Sequence, residues 1–158
     1  MSPAPETRTI YQYVWTPAPP DRVWRAITDQ NEFAAWFQAT ADRPFEPLRH
    51  IRMVSTHPSC AGLEFSIMIE EMRTERTFSW HWHPGSQQPP AGSDALMTMV
   101  EFDLQPERGG TMVTVTESGF DRIPADRRHK VYQENESGWR EQLKALGHYL
   151  LHDRVRNR

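Results

Sequence analysis

Few residues in this chain have a type and spacing that could do chemistry, and Glu117 comes first among them. It stands in phase with Val113 and Val115, so an extended segment there turns its carboxyl toward the apolar side. A buried carboxylate is costly unless it is paired, and such groups often mark functional sites. The competing expectation is a strand-end residue that bends out to water or pairs with a nearby cation such as Arg122. That alternative carries more weight, because carboxylates are rarely fully buried. Tyr132 or His83 could complete an acid–base pair with Glu117, but no spacing fixes their geometry.

His81 and His83 share one face of an extended segment and could chelate a metal, with His57 and Cys60 completing four ligands. Against this, the imidazoles lie opposite Trp80 and Trp82 and so face water. The His57-x-x-Cys60 spacing matches no standard zinc motif. Ser118 and Ser137 lack the G-x-S-x-G elbow of a nucleophilic serine, and Cys60 sits in a loop with no sign of activation. The expectation is therefore no metal, no cofactor and no identifiable catalytic residue, so a binding role outweighs an enzymatic one.

The elements that must position these residues are legible from periodicity. Thr7 to Trp15 is rich in β-branched and aromatic residues and reads as a first strand. Pro19 or Pro20 opens a short helix carrying Val23, Trp24 and Ile27. Asp29 or Asn31 caps a second one holding Phe33, Trp36 and Phe37. From Gln38 to Ser118 alternation replaces the helical period. One-face sets are Ile51, Met53 and Ser55; Phe65, Ile67 and Ile69; then Phe78, Trp80 and Trp82. Leu96 to Leu104 at alternate positions, and Val113 with Val115, continue the pattern. Gly109-Gly110 is a hairpin signal, and Pro84 to Ser93 is a long loop.

Residues 125–153 contain no proline, and Tyr132, Asn135, Trp139, Leu143, Leu146 and Leu150 hold one helix face for five turns. A helix of about 28 residues would be roughly 42 Å long. The order is strand, two short helices, about six strands, one long helix. Without strand–helix alternation the class is α+β, with an antiparallel sheet of about six to seven strands. The long helix is the only element large enough to cover the sheet's apolar face. One domain over 7–153 is expected, with 1–6 and 154–158 as flexible termini.

Between sheet and helix the expected lining comes from Trp36, Phe65 and Ile67, then Trp80, Trp82, Val100 and Phe102, with Val115, Tyr132 and Trp139 closing it. The Tyr and Trp side chains, Asn135 and Glu117 are its polar groups. Apolar walls with few polar groups describe a ligand site. The same rings packed without a gap describe a core. Periodicity alone does not separate the two.

Composition narrows the partners. The chain has 158 residues and 37% hydrophobic residues, with the apolar mass concentrated in 6 Trp, 7 Phe and 4 Tyr. The mean hydropathy is -0.74 and the pI about 6.2. At net charge -3 no basic field is available for a nucleic-acid backbone. The basic run Arg127 to Lys130 and the tail Arg154 to Arg158 fit helical or terminal positions. One cysteine rules out an internal disulfide framework. No signal peptide or membrane-length apolar run is evident, so a reducing cytoplasm and no membrane are expected.

Several segments in this order resemble a known superfamily. They are Pro20 to Thr28, Ile69 to Met72, Phe78 to Pro84, Thr114 to Asp121 and Tyr132 to Trp139, followed by Gln142-Leu143. The chain resembles the SRPBCC or START-like proteins, and within them the family related to the C-terminal domain of the heat-shock protein 90 ATPase activator. The resemblance covers roughly residues 7–152. It implies a helix-grip fold, a curved sheet around a long C-terminal helix with a cavity between them. It also implies a small hydrophobic or aromatic ligand there, since members of the superfamily bind lipids, sterols or polyketides. A chaperone or other protein partner is a second implication, and a cyclase- or hydrolase-like activity on a bound ligand a third. Monomer and homodimer both stay open. The segment Gln38 to Leu48 departs from the family by lacking its Gly-rich hairpin and carrying Pro44 and Pro47, which leaves strand placement in 38–50 undetermined.

Overall fold

The computed structural model describes residues 9–84 and 97–156, with side chains as far as residue 152. The expected frayed start, most of the loop from Pro84 to Ser93, Leu96 and the basic tail's side chains lie outside the described residues.

The first strand, β1, is Ile10–Thr16. Pro19 is the extended N-cap of helix α1, Pro20–Thr28, and Pro20 takes the first helical position, where its missing N–H costs nothing. Helix α2, Gln30–Phe37, starts where the Asp29 carboxylate accepts the backbone N–H groups of Asn31 and Glu32, both at 3.0 Å. It stops at Gln38, which adopts a left-handed conformation with φ 62°. Six strands follow: β2 Ala39–Ala41, β3 His50–Ser55, β4 Glu64–Arg73, β5 Thr77–Trp82, β6 Thr98–Glu107 and β7 Gly110–Ser118. A 3-10 turn over Phe120–Arg122 leads into helix α3, Ala125–Arg156, which runs three residues beyond the expected end.

The seven strands form one antiparallel sheet in the order β1-β7-β6-β5-β4-β3-β2. The segment that the sequence leaves undetermined supplies β2, a three-residue edge strand on β3. The β6–β7 hairpin turns on Arg108 and Gly109, at φ 51° and 78°, as a two-residue loop with positive φ at both centres requires. Gly110 therefore belongs to the strand rather than the turn, a one-residue correction. A Cβ there would lie 2.1 Å from the carbonyl oxygen of Thr16, so only glycine lets β7 pass the end of β1.

Cross-strand pairing lines up the inner face in rows. Ile51, Ile67, Trp82 and Thr98 form one, and Ile69, Trp80, Val100, Glu117 and Ile10 the next. The third contains Met72, Phe78, Phe102 and Val115. The helix stripe arrives as expected: Tyr132, Trp139, Leu143, Leu146 and Leu150 are buried, with Asn135 half-buried among them. One expectation needs correction. The long helix does not cover the sheet alone; it lies against β1 and α2. The rings of α2 fill the space toward the middle strands, with Phe33 edge-on to Trp80 at 6.2 Å and Trp36 edge-on to Phe102 at 6.3 Å. Trp36 is anchored by donating its indole N–H to the Ala26 carbonyl at 2.8 Å. A short helix can do this because the residues that α2 buries, Phe33, Trp36 and Phe37, are all large rings.

Candidate functional site

Glu117 sits at the centre of the site and is fully buried. The alternative of a carboxyl turned to water, or to Arg122, is overturned. β7 points the side chain inward, where donors from three other elements surround it. Trp139 Nε1 of α3 donates to Oε1 at 2.9 Å, and Trp82 Nε1 of β5 donates to Oε2 at 2.9 Å. Thr98 Oγ1 of β6 reaches Oε2 at 2.5 Å. Asn135 Nδ2 of α3 donates to both oxygens, at 3.0 and 3.2 Å. An ionised carboxyl only accepts and offers about four lone-pair positions, so this ring of donors uses its capacity fully. Trp82 and Thr98 are direct cross-strand neighbours, which is why their two donors converge on one oxygen.

Rings enclose this group. Trp139 lies 5.8 Å from Trp82, 6.1 Å from Trp80 and 5.6 Å from Phe102, measured between centroids. Trp80 and Phe102 are themselves 5.5 Å apart. With Trp36 beyond Phe102, this part of the expected lining is ring on ring. Ile67, Val100 and Val115 are buried beneath it. Phe65 and Trp82, 6.1 Å apart, and Asn135 are only partly buried. They form the margin on which the buried group could be approached. Tyr132 is buried too, but its ring packs edge-on to Phe120 at 5.2 Å.

Two participants were not singled out from sequence. Thr98 is a polar residue in an inward-facing phase beside Val100 and Phe102, a signal equal in kind to that of Glu117. Phe37, 6.1 Å from Trp139 and 6.4 Å from Trp82, joins the ring cluster from the end of α2, and its carbonyl accepts from Gln142 Nε2 at 3.2 Å.

The other candidate residues are not brought together. His57 Nδ1 takes the backbone N–H of Ser59 at 3.1 Å and contacts its hydroxyl at 2.7 Å. Cys60 is exposed, with Sγ 3.1 Å from Ser55 Oγ. His81 Nε2 faces Glu70 at 3.4 Å. Among the described residues no three His, Cys, Asp or Glu side chains are grouped to hold a metal ion. No helix there is long and apolar enough to cross a membrane. On β6 a second acid, Glu101, is pushed up from 4.5 to about 7. A hydrogen bond to Asp103 is the main cause, followed by partial burial and by the charges of Asp103 and Glu71.

The sequence profile of the Activator of Hsp90 ATPase homolog 1-like proteins matches residues 17–151. The chain belongs to that family. Its helix-grip architecture recurs in solved structures at low identity. Protein MLL2253 from Mesorhizobium loti superposes with a TM-score of 0.71 at 22% identity, over 90% of this chain and 96% of that one. Protein Ms6760 from Mycobacterium smegmatis gives 0.73 at 16%, over 95% of each chain. A protein from Arthrobacter aurescens gives 0.75 at 14%, over 96% of this chain and 90% of the other. At such identities the likeness is one of fold. Comparison with curated proteins gives no match.

Proposed function

We propose that this family member binds a small apolar or aromatic ligand between the inner sheet face and α3. The ligand enters along the margin of Phe65, Trp82 and Asn135. One observation carries the reading: a fully buried carboxylate, held by donors from β5, β6 and α3, inside an otherwise aromatic interior with a half-exposed margin. Ligand sites combine apolar walls with a few fixed polar groups in this way. Burial against the rings would drive association at about 25 cal/mol per Å² of apolar area, before the costs of ordering. Glu117 would orient the ligand, with its carboxylate held in place by the indole N–H groups of Trp82 and Trp139. Titration of a panel of hydrophobic probes, followed by tryptophan fluorescence, tests this. Saturable quenching that weakens in Trp139→Ala supports it; no response to any probe, with the variant indistinguishable from wild type, removes it.

Family membership favours a second reading, a protein partner linked to the chaperone system. The outer sheet face offers Tyr11 and Tyr13, 62% and 63% exposed, as a surface for one. Co-purification of a chaperone with the wild type but not with a Tyr11→Ser, Tyr13→Ser double variant is the expected result, and loss of both tyrosines without effect would remove it.

A further inference from the structure

The donors around Glu117 are all neutral: two indoles, one amide and one hydroxyl. The ion pairs that Arg25, Arg43, Arg49, Arg73, His81, Lys130 and Lys144 form go to other acids. A carboxylate removed from water loses solvation worth several kcal/mol, which neutral dipoles offset only in part. These four hydrogen bonds therefore bring no full positive charge to the carboxylate.

The four donors are not equivalent. Trp139 and Thr98 are buried, and Trp82 is held in the sheet. Asn135 is half-buried and is the only donor to reach both oxygens, from a single nitrogen. Its Nδ2 stands where the nitrogen of an ammonium bridging the two oxygens would stand.

We infer that the ligand carries a protonated primary or secondary amine on its apolar body. The nitrogen displaces Asn135 Nδ2 and donates to both oxygens of Glu117, while the body lies against Trp82 and Phe65. An ammonium adds the attraction of a full positive charge to the hydrogen bonds, which the neutral O–H of an alcohol does not. An alcohol of the same shape is a weaker ligand, and an acid is repelled. This inference rests on the ligand reading above.

The test compares 2-phenylethylamine, 2-phenylethanol and 3-phenylpropanoate at neutral pH, by tryptophan fluorescence and calorimetry, against wild type, Glu117→Gln and Asn135→Ser. The amine should bind about 10-fold tighter than the alcohol, a difference of about 1.4 kcal/mol, and the acid should not saturate. Glu117→Gln should abolish the preference. Asn135→Ser, which clears the displaced amide, should keep or increase it; this variant decides the matter if Glu117→Gln does not fold. Equal or tighter binding of the alcohol by the wild type overturns the amine and leaves an apolar ligand standing. Binding of none of the three overturns both.

Discussion

Trp82 on β5 and Trp139 on α3 donate their indole N–H groups to opposite oxygens of Glu117, each at 2.9 Å. The carboxylate thus joins sheet to helix, and the indole rings enclose it. Trp139→Phe keeps most of the ring and removes one donor. It should cost about 1–3 kcal/mol, and in a domain of this size each kcal/mol lowers Tm by about 2–4 °C. Trp139→Ala, which also empties ring volume, should cost about 3–5 kcal/mol. Urea and thermal melts of the two variants check the order.

Glu117→Gln tests whether acceptors matter there more than charge. With its oxygen in the Oε1 position, the new amide turns N–H groups toward the Trp82 N–H; flipped, it turns them toward Trp139 and Asn135. Either way donor faces donor, and the expected loss is about 1–3 kcal/mol. A stability equal to wild type would show that the buried ring of donors contributes little.

Gly110→Ala should be destabilising by at least about 1–3 kcal/mol, the range for overpacking, because its Cβ meets the backbone of Thr16 rather than a flexible side chain. The damage should centre on the β1–β7 pairing. Amide exchange in Ile10–Thr16 should accelerate more than in β4.

Glu32 ties the three helices together. It accepts the Tyr149 hydroxyl at 2.7 Å and pairs with Arg22 at 2.7 Å and Arg25 at 3.0 Å. Glu32→Ala should cost about 2–3 kcal/mol and Tyr149→Phe about 1–2 kcal/mol, since bonds to charged groups are worth about 1.5–3. Comparing both single variants with the double one by denaturation should give a coupling energy clearly above zero.

Glu101 sets a pH dependence. Its folded-state value is raised from 4.5 to about 7, so between these values the folded chain holds more protons than the unfolded one. The stabilisation from the shared Glu101–Asp103 hydrogen bond is fully present below about pH 4.5 and is lost as pH rises through about 7. Glu101→Gln should flatten this slope. Urea midpoints at pH 5 and pH 8 read it; a wild-type slope unchanged by the substitution would contradict it.

Alternation and helical spacing made the architecture legible in advance, since Trp80, Val100 and Val115 sit on the inner face and Trp139 to Leu150 on the buried stripe. The same phase argument pointed to Glu117. Asn135 and the tryptophans were expected among the polar groups of the same lining, but which of their donors meet the Glu117 oxygens depends on how β5, β6 and α3 come together, and that pairing is hidden from periodicity. Thr98 was hidden as a hydroxyl within an apolar run. The shared coverage by α2 was missed because length was used to judge which helix could cover the sheet, whereas Phe33, Trp36 and Phe37 cover it by ring area. The strand Ala39–Ala41 was not decided because Pro44 and Pro47 follow it and three residues carry no period.

The most direct test uses protein labelled with 5-fluorotryptophan and followed by fluorine NMR during titration with hydrophobic probes. Trp82 and Trp139 should shift together and saturate, while Trp15 on the outer face and Trp24 on α1 should stay in place. Shifts confined to Trp15, or no saturable shift in any tryptophan, would contradict a ligand held between the sheet and the C-terminal helix.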